Sequence, residues 1–311
     1  MNSQIKKINL NHSFIFFLFC NVFSVVVFKF TNLNISTLFC FLLILTIGVS
    51  HGALDHLKGK KLLTILNIKK FYIFYLIYIL LALSVILVWT IVPAITLIVF
   101  LAVASFHFGK EDTQFLINKN SNLISILYFF RGILIIITPL YFNFDETVTI
   151  FKMLLINSEQ FYSSLGFIEK YKIIEIAIGL SALSSIILFL REFNIKKFAI
   201  FLDFFSIIIL NYYLSPLVAF TIYFCFLHSI RHTISLAIEM DNSNLKNGLK
   251  LFAQKAFPLT VLTAIFSVLG LYFLNNVYEL NSAILKIIFI GLASLTFPHI
   301  LLEYFLEKNE K

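Results

Sequence analysis

FLHSIRHT, Phe226 to Thr233, decides how the chain is read. It lies in a run from about 216 to 238 that is too apolar to sit anywhere but in a membrane, yet it carries His228, Arg231 and His232. On a helix, histidines four residues apart project from one face, one turn apart, which is the spacing two imidazoles need to reach a single metal ion. Ionisable residues are expensive at such depth, and three within five residues point to function rather than filling.

The remainder of the chain supports a membrane reading. Of 311 residues, 60% are hydrophobic and 13% charged, with a mean hydropathy of +0.95, far from the soluble globular range. The expected fold class is all-α, a polytopic integral membrane helical bundle. It reads as a single membrane-embedded domain over 1–311, because no Gly/Ser linker, low-complexity tail or internal repeat divides it. A net charge of +8 would suggest nucleic acid in a soluble protein. Here the lysines fall in short loops between apolar runs, no nucleic-acid signature appears, and the partner implied is the lipid bilayer. Cys20, Cys40 and Cys225 sit in apolar segments without a C-x-x-C pair and read as small buried hydrophobes. Lys6 and Lys7 precede an apolar run that continues to about Phe28 with no small-residue cleavage site, so a first membrane helix is expected there rather than a removable signal.

A span needs about 20 mainly apolar residues. About ten candidates follow: 13–30, 36–57, 71–90, 92–109, 123–142, 173–190, 198–214, 216–238, 256–275 and 283–305. The first is interrupted by Asn21, and the seventh is short and carries Asp203. Cytoplasmic loops should be rich in Lys and Arg. With the N-terminus inside, the inner segments hold seventeen, namely Lys6, Lys7, Lys58, Lys60, Lys61, Lys69, Lys70, Lys110, Lys119, Arg191, Lys196, Lys197, Lys246, Lys250, Lys255, Lys308 and Lys311. The outer segments hold four, Lys29, Lys152, Lys170 and Lys172, and Arg131, Arg231 and Lys286 lie within spans. Both termini are therefore expected in the cytoplasm of a multi-pass protein of the bacterial inner membrane. Asn143 to Lys172 is the long outer loop, and its TVTIFKMLLI stretch reads as a short helix at the membrane interface.

His12 precedes the first span and reads as an ordinary surface residue. His51 and His56 end the second span in SHGALDHL, His107 ends the fourth in ASFHFGKED, His228 and His232 lie in the eighth, and His299 lies in the tenth within TFPHILLEY. All six fall in the cytoplasmic half, so four helices converge on one depth. A lone intramembrane histidine commonly bonds helix to helix; six at one depth, with an H-x-x-x-H pair, favour a metal site. Imidazole suits Fe, Zn, Cu and Ni, and an apolar, bilayer-buried cavity inclines the choice toward an O₂-activating iron over a hydrolytic zinc.

Taken in order and at these intervals, SHGALDHL, FHFGKED, FLHSIRHT and FPHILLEY resemble the Brp/Blh family of membrane β-carotene 15,15′-dioxygenases, from about His51 to Glu303. The resemblance implies a non-haem Fe(2+) held by four histidines, which on the matching motifs are His51, His107, His228 and His232. His56 and His299 also fit the pattern and are assigned to positions around those ligands or to the substrate cavity. The implied reaction is iron-dependent cleavage of the central 15,15′ double bond of β-carotene with O₂ to two molecules of all-trans-retinal, with no catalytic residue beyond the metal. A retinal-accepting rhodopsin is a candidate partner.

Asp55, Glu111 and Glu303 each follow a histidine by four residues and are candidates to orient a metal-bound ring. For Glu111 and Asp112 a solvated helix end is an equal reading. Arg231 needs compensation, and Asp203 on the preceding span is the candidate partner; Arg131 has no evident one. The 38 Phe and 13 Tyr suit an isoprenoid tunnel as well as lipid contact and core. A C₄₀ carotenoid is about as long as the hydrocarbon core, about 30 Å. Histidines near the cytoplasmic face therefore call for a tilted or bent tunnel, or a deeper site. A histidine-rich membrane oxidase (desaturase or hydroxylase), a haem carrier and a transporter are the competing readings. The first lacks its H-x-x-H-H boxes here, and the last lacks repeat symmetry.

Overall fold

Apolar stretches of this length have no water in hydrocarbon to satisfy their amides, so they coil and bond internally. The computed structural model describes residues 3–29, 35–117, 121–191 and 195–309 and has no strand among them. Lys119 and Lys311, and the side chains of Lys29, Lys196 and His51, lie outside the described residues. Twelve helical segments follow in order: α1 (Ser3–Lys29), α2 (Thr37–Ile65), α3 (Tyr72–Ile91), α4 (Pro93–Thr113), α5 (Asn122–Phe142), α6 (Phe144–Met153), α7 (Glu159–Lys170), α8 (Ile173–Leu190), α9 (Ala199–Tyr213), α10 (Pro216–Met240), α11 (Leu245–Asn275) and α12 (Leu280–Asn309).

Among the described residues nine of these are long and apolar enough to cross a membrane. The seventh expected span is α9, apolar but only 15 residues long. Pro93 and Pro216 open α4 and α10 at the first turn, where a missing N–H costs nothing. Inside the helices many hydroxyls fold back on carbonyls four residues earlier, as Ser105 does on Leu101 and Thr138 on Leu134, so they are satisfied without a partner helix. α3 and α11 turn long apolar side chains outward, among them Leu76, Leu87, Phe257 and Phe266. α10 is the most buried of the nine and stands at the centre.

Two of the helices are not uniform. α2 carries a π-helical turn at Ile44–Gly48 followed by a 3₁₀ turn at Val49–Leu54, and α10 a π-helical stretch at Tyr223–Ser229. The two wide turns face each other. Ser229 Oγ donates to the Gly48 carbonyl at 3.1 Å, and a β-carbon on Gly48 would stand 2.6 Å from the Phe224 ring. Wide turns of this kind are often found beside functional sites. Here the His228–His232 pair straddles the passage from π to α geometry rather than lying on a regular helix.

α6 is the short helix expected in the long outer loop, with one face packed into the bundle. Its Thr147, Ile150 and Phe151 are buried, because the segment folds back across the end of α5. Thr147 Oγ1 donates to the carbonyls of Pro139 at 3.0 Å and Asn143 at 2.8 Å. Asn143 Nδ2 donates to Asn211 O (2.9 Å) and Leu214 O (3.3 Å) at the end of α9, and beyond the helix Trp89 Nε1 of α3 donates to Leu154 O at 3.0 Å. Both ends of α6 are thus tied to neighbouring spans.

α4 and α5 cross at glycines. A β-carbon on Gly109 would lie 1.8 Å from the Tyr128 carbonyl oxygen, and one on Gly132 1.8 Å from that of Ser105. Small residues allow this backbone approach in membrane helices, and it brings His107 to the level of Gly132. Gly132→Ala is expected to cost at least about 3 kcal/mol, the upper end of overpacking, and to lower the thermal transition of the detergent-solubilised protein. Gly291→Ala on α12, where nothing lies within 4 Å of the added carbon, should leave it unchanged or raise it.

Candidate metal centre

Four helices bring their polar residues to the lysine-rich end of the bundle: α2 with Asp55 and Lys58, α4 with His107, Glu111 and Asp112, α10 with His228 and His232, and α12 with His299 and Glu303. The rings form a chain of neighbours. His107 lies 5.3 Å from His228 and 5.4 Å from His299 between centroids, and His232 lies 5.9 Å from His299.

Carboxylates hold three of these rings, each from a different helix than the histidine. His299 Nδ1 lies 2.8 and 2.9 Å from the two oxygens of Asp55, His232 Nδ1 lies 3.1 Å from Glu111 Oε2, and His228 Nδ1 lies 3.3 Å from Asp112 Oδ1. A carboxylate on Nδ1 fixes the tautomer and ring orientation and leaves Nε2 as the lone-pair nitrogen. The carboxylates are anchored in turn. Tyr78 O–H donates to Asp55 at 2.8 Å, Gln114 Nε2 to Glu111 at 2.6 Å, and Tyr223 O–H to Asp112 at 2.5 Å.

Glu303 is the common neighbour. Its carboxylate stands 3.6 Å from His299 Nε2, 3.8 Å from His107 Nδ1 and 4.0 Å from His232 Nε2, and it accepts from Lys58 Nζ at 2.7 Å. Lys58 Nζ also lies 3.5 Å from His232 Nε2. One donor atom each from His107, His299 and Glu303 fall within 4.8 Å of one another, a spacing that one metal ion can bridge.

Behind this centre runs a second buried polar group. Arg231 donates to both oxygens of Asp203, at 3.0 and 3.3 Å, to the Asp112 carbonyl at 2.9 Å and to Ser13 Oγ of α1 at 2.8 Å, with its guanidinium over the Phe115 ring. Arg231 is therefore what lets α9 carry the charge of Asp203. Arg131 donates to Ile200 O at 3.4 Å and faces the Phe204 ring.

On the far side of the histidines the lining turns apolar. A narrow cleft between α4, α5, α10 and α12 runs toward α6, with a cavity volume of about 90 Å³. Phe108 and Phe224 stand at its inner end and pack on the His228 ring, at 4.8 and 5.8 Å between centroids. Thr296 and Ala104, also in the lining, are one turn from His299 and His107.

Several residues stand elsewhere than the sequence reading put them. Glu111 reaches across to His232 rather than to His107 on its own helix, and Asp55 reaches across to His299. His299 stands where the sequence places it, beside the proposed ligands, with its ring between His107 and His232. His56 turns Nδ1 to the Ala53 carbonyl at 2.9 Å on its own helix. His51 lies in the 3₁₀ turn of α2, and its side chain is outside the described residues. His12 is half-buried rather than on the surface, with its ring tilted against that of Phe16 at 6.4 Å between centroids. Lys58 was counted among orienting loop charges; its place two residues after His56 was the available signal. Asp112 follows His107 by five residues, a spacing that gives no hint of His228.

Residues 42–307 match the family described as beta-carotene 15,15'-dioxygenase, and the chain belongs to that family, the Brp/Blh type. It is also 27% identical over 269 residues, 84% of this chain and 90% of the relative, to the "Beta-carotene 15,15'-dioxygenase" of an uncultured marine bacterium, 66A03. No solved structure matches it.

The Arg231–Asp203 pair gives a direct test of the packing behind the centre. Asp203→Ala leaves a buried guanidinium uncompensated and is expected to cost about 3–5 kcal/mol, read as loss of folded protein from the membrane fraction. Adding Arg231→Met to it should restore part of that loss.

Proposed function

We propose that the chain is a carotenoid-cleaving dioxygenase that splits the central 15,15′ double bond of β-carotene with O₂ to give two molecules of all-trans-retinal, using Fe(II) held by its histidines. The observation that carries this reading is the set of cross-helix carboxylate–imidazole pairs at the inner end of an apolar cleft, in a chain of this family.

The residues present fit the metal. The donor set is imidazole with one carboxylate and no thiolate, which suits iron(II), and the rings are turned by carboxylates as metal-binding imidazoles are. The proposed ligands are His107, His228 and His232 together with His51, which the family resemblance supplies; His299 joins them as a further imidazole, on the position of its ring between His107 and His232. An iron bound there would supply the activation of O₂.

The chain's own residues supply everything else. Asp55, Glu111 and Asp112 keep the imidazoles in one tautomer, Lys58 balances the charge of Glu303, and Phe108 and Phe224 present flat apolar faces to the polyene while excluding water. In the overall change one C=C bond breaks and each carbon takes one oxygen atom, so both atoms of O₂ end in the two aldehydes. No reductant and no protein nucleophile enters. The lysine-rich end of the bundle is proposed to face the cytoplasm across a bacterial inner membrane, with a retinal-binding rhodopsin as an acceptor of the product.

Expressed in a β-carotene-producing bacterium, the wild type is expected to yield retinal by chromatography, with ¹⁸O from ¹⁸O₂ in both aldehydes when assayed purified. His107→Ala, His228→Ala and His232→Ala should each abolish retinal and lower the iron bound per chain. Asp55→Asn should cost about 10–100-fold in activity or iron affinity. His56→Ala should stay within a few-fold of wild type. A wild-type protein that purifies with iron but leaves β-carotene intact would overturn the substrate.

A further inference from the structure

We infer that α6 is the ruler of the substrate: the end wall it forms with Ile150 and Phe151 stops one ring of the carotenoid and thereby sets which double bond stands at the histidines. This rests on the carotenoid-cleavage reading above.

Depth along the bundle can be counted from the α4–α5 glycine crossing, which puts Gly132 level with His107. From Gly132 outward along α5 it is seven residues to Pro139 and eleven to Asn143, or about 10 and 16 Å at about 1.5 Å per residue. From His299 to Phe289, the outermost residue of α12 in the cleft lining, the same rise gives about 15 Å. The end wall built by α6 therefore lies about 10–16 Å from the histidines. Half of a C₄₀ carotenoid, taken as about as long as the 30 Å hydrocarbon core, is about 15 Å. A molecule pushed to the wall presents its middle to the histidines, although they lie near one face of the membrane. The cleft thus takes one half, not the whole molecule, and an upright substrate centred at mid-membrane is not required.

The wall is built to hold position. Ile150 and Phe151 are buried and line the cleft, and Phe151 packs on Phe161 of α7 at 6.1 Å between centroids. α6 is tied at its start by Asn143 to the end of α9, and the residue after it, Leu154, by its carbonyl to Trp89 of α3. Thr147 spends its hydroxyl on Pro139 and Asn143, so no free donor attracts a polar ring. A stop that moved would blur the cut; this one is fixed to α3, α5 and α9.

The test is the product pattern of wild type, Phe151→Ala, the milder Phe151→Leu and Ile150→Ala, assayed on β-carotene with detergent-purified protein. Wild type should give retinal alone. Phe151→Ala should let the ring travel farther, so that the share of retinal falls several-fold and, with the cut displaced by one double bond onto a methyl-bearing carbon, a longer aldehyde and a shorter methyl ketone appear. Phe151→Leu and Ile150→Ala should shift the pattern in the same direction by less, and serve if the alanine variant at 151 does not fold. An apocarotenal with one intact ring and a shortened other end should be cut by wild type at the same bond counted from the ring. Active variants that still yield retinal alone, or an apocarotenal cut at its own midpoint, would overturn the ruler and leave the cleavage reading standing. A wild type inactive on β-carotene would overturn both.

Discussion

The fold depends on pairing carboxylates with imidazoles and a guanidinium where water cannot reach them. A charge in hydrocarbon is costly alone and strongly attracted to its opposite at short range. Asp55 therefore binds α2 to α12, Glu111 and Asp112 bind α4 to α10, and Asp203 binds α9 to the same α10 through Arg231. Helices that share an apolar surface with lipid have little reason to choose one rotation over another. These pairs choose it for them, and the same choice aims the histidine rings at one another. Stability and site geometry are here one set of contacts.

Much of the framework was legible in the chain. Apolar runs of span length gave the segments to within a few residues at most boundaries, because length in hydrocarbon is set by the bilayer and not by tertiary detail. Asp203 as partner of Arg231 could be read because only one acid lay at the right depth on the adjoining span. The cross-helix carboxylate pairs could not be read. Spacing on one helix suggests His107 with Glu111, whereas the rotation of each helix is fixed by contacts such as Gly109 against the Tyr128 carbonyl, which no periodicity reveals. The fold-back of α6 was hidden for a similar reason: its anchors, Trp89 and Asn211, are far away in sequence and look like ordinary loop-end residues.

The interior is divided into two media. At the lysine-rich end, acids, imidazoles and Lys58 form a connected polar cluster. Beyond Phe108 and Phe224 the lining is mostly phenylalanine, isoleucine, leucine and proline, with the Thr147 hydroxyl folded onto backbone. The two aromatic rings stand at the boundary and touch both sides, with His228 beneath and the cleft above. An apolar molecule and a polar metal site can meet at such a border without either entering the other's medium.

Ser13 lends its hydroxyl to Arg231, and Phe19 sets its ring 6.1 Å from that of Phe226 within the π-helical stretch of α10. Both belong to α1, which precedes the part of the chain that the family shares, residues 42–307. The buried centre is thus insulated by a helix that lies before the matched range. A relative that lacked a counterpart of α1 would have to solve the solvation of this guanidinium in another way, so comparison across the family should find position 13 and the residue at 231 changing together.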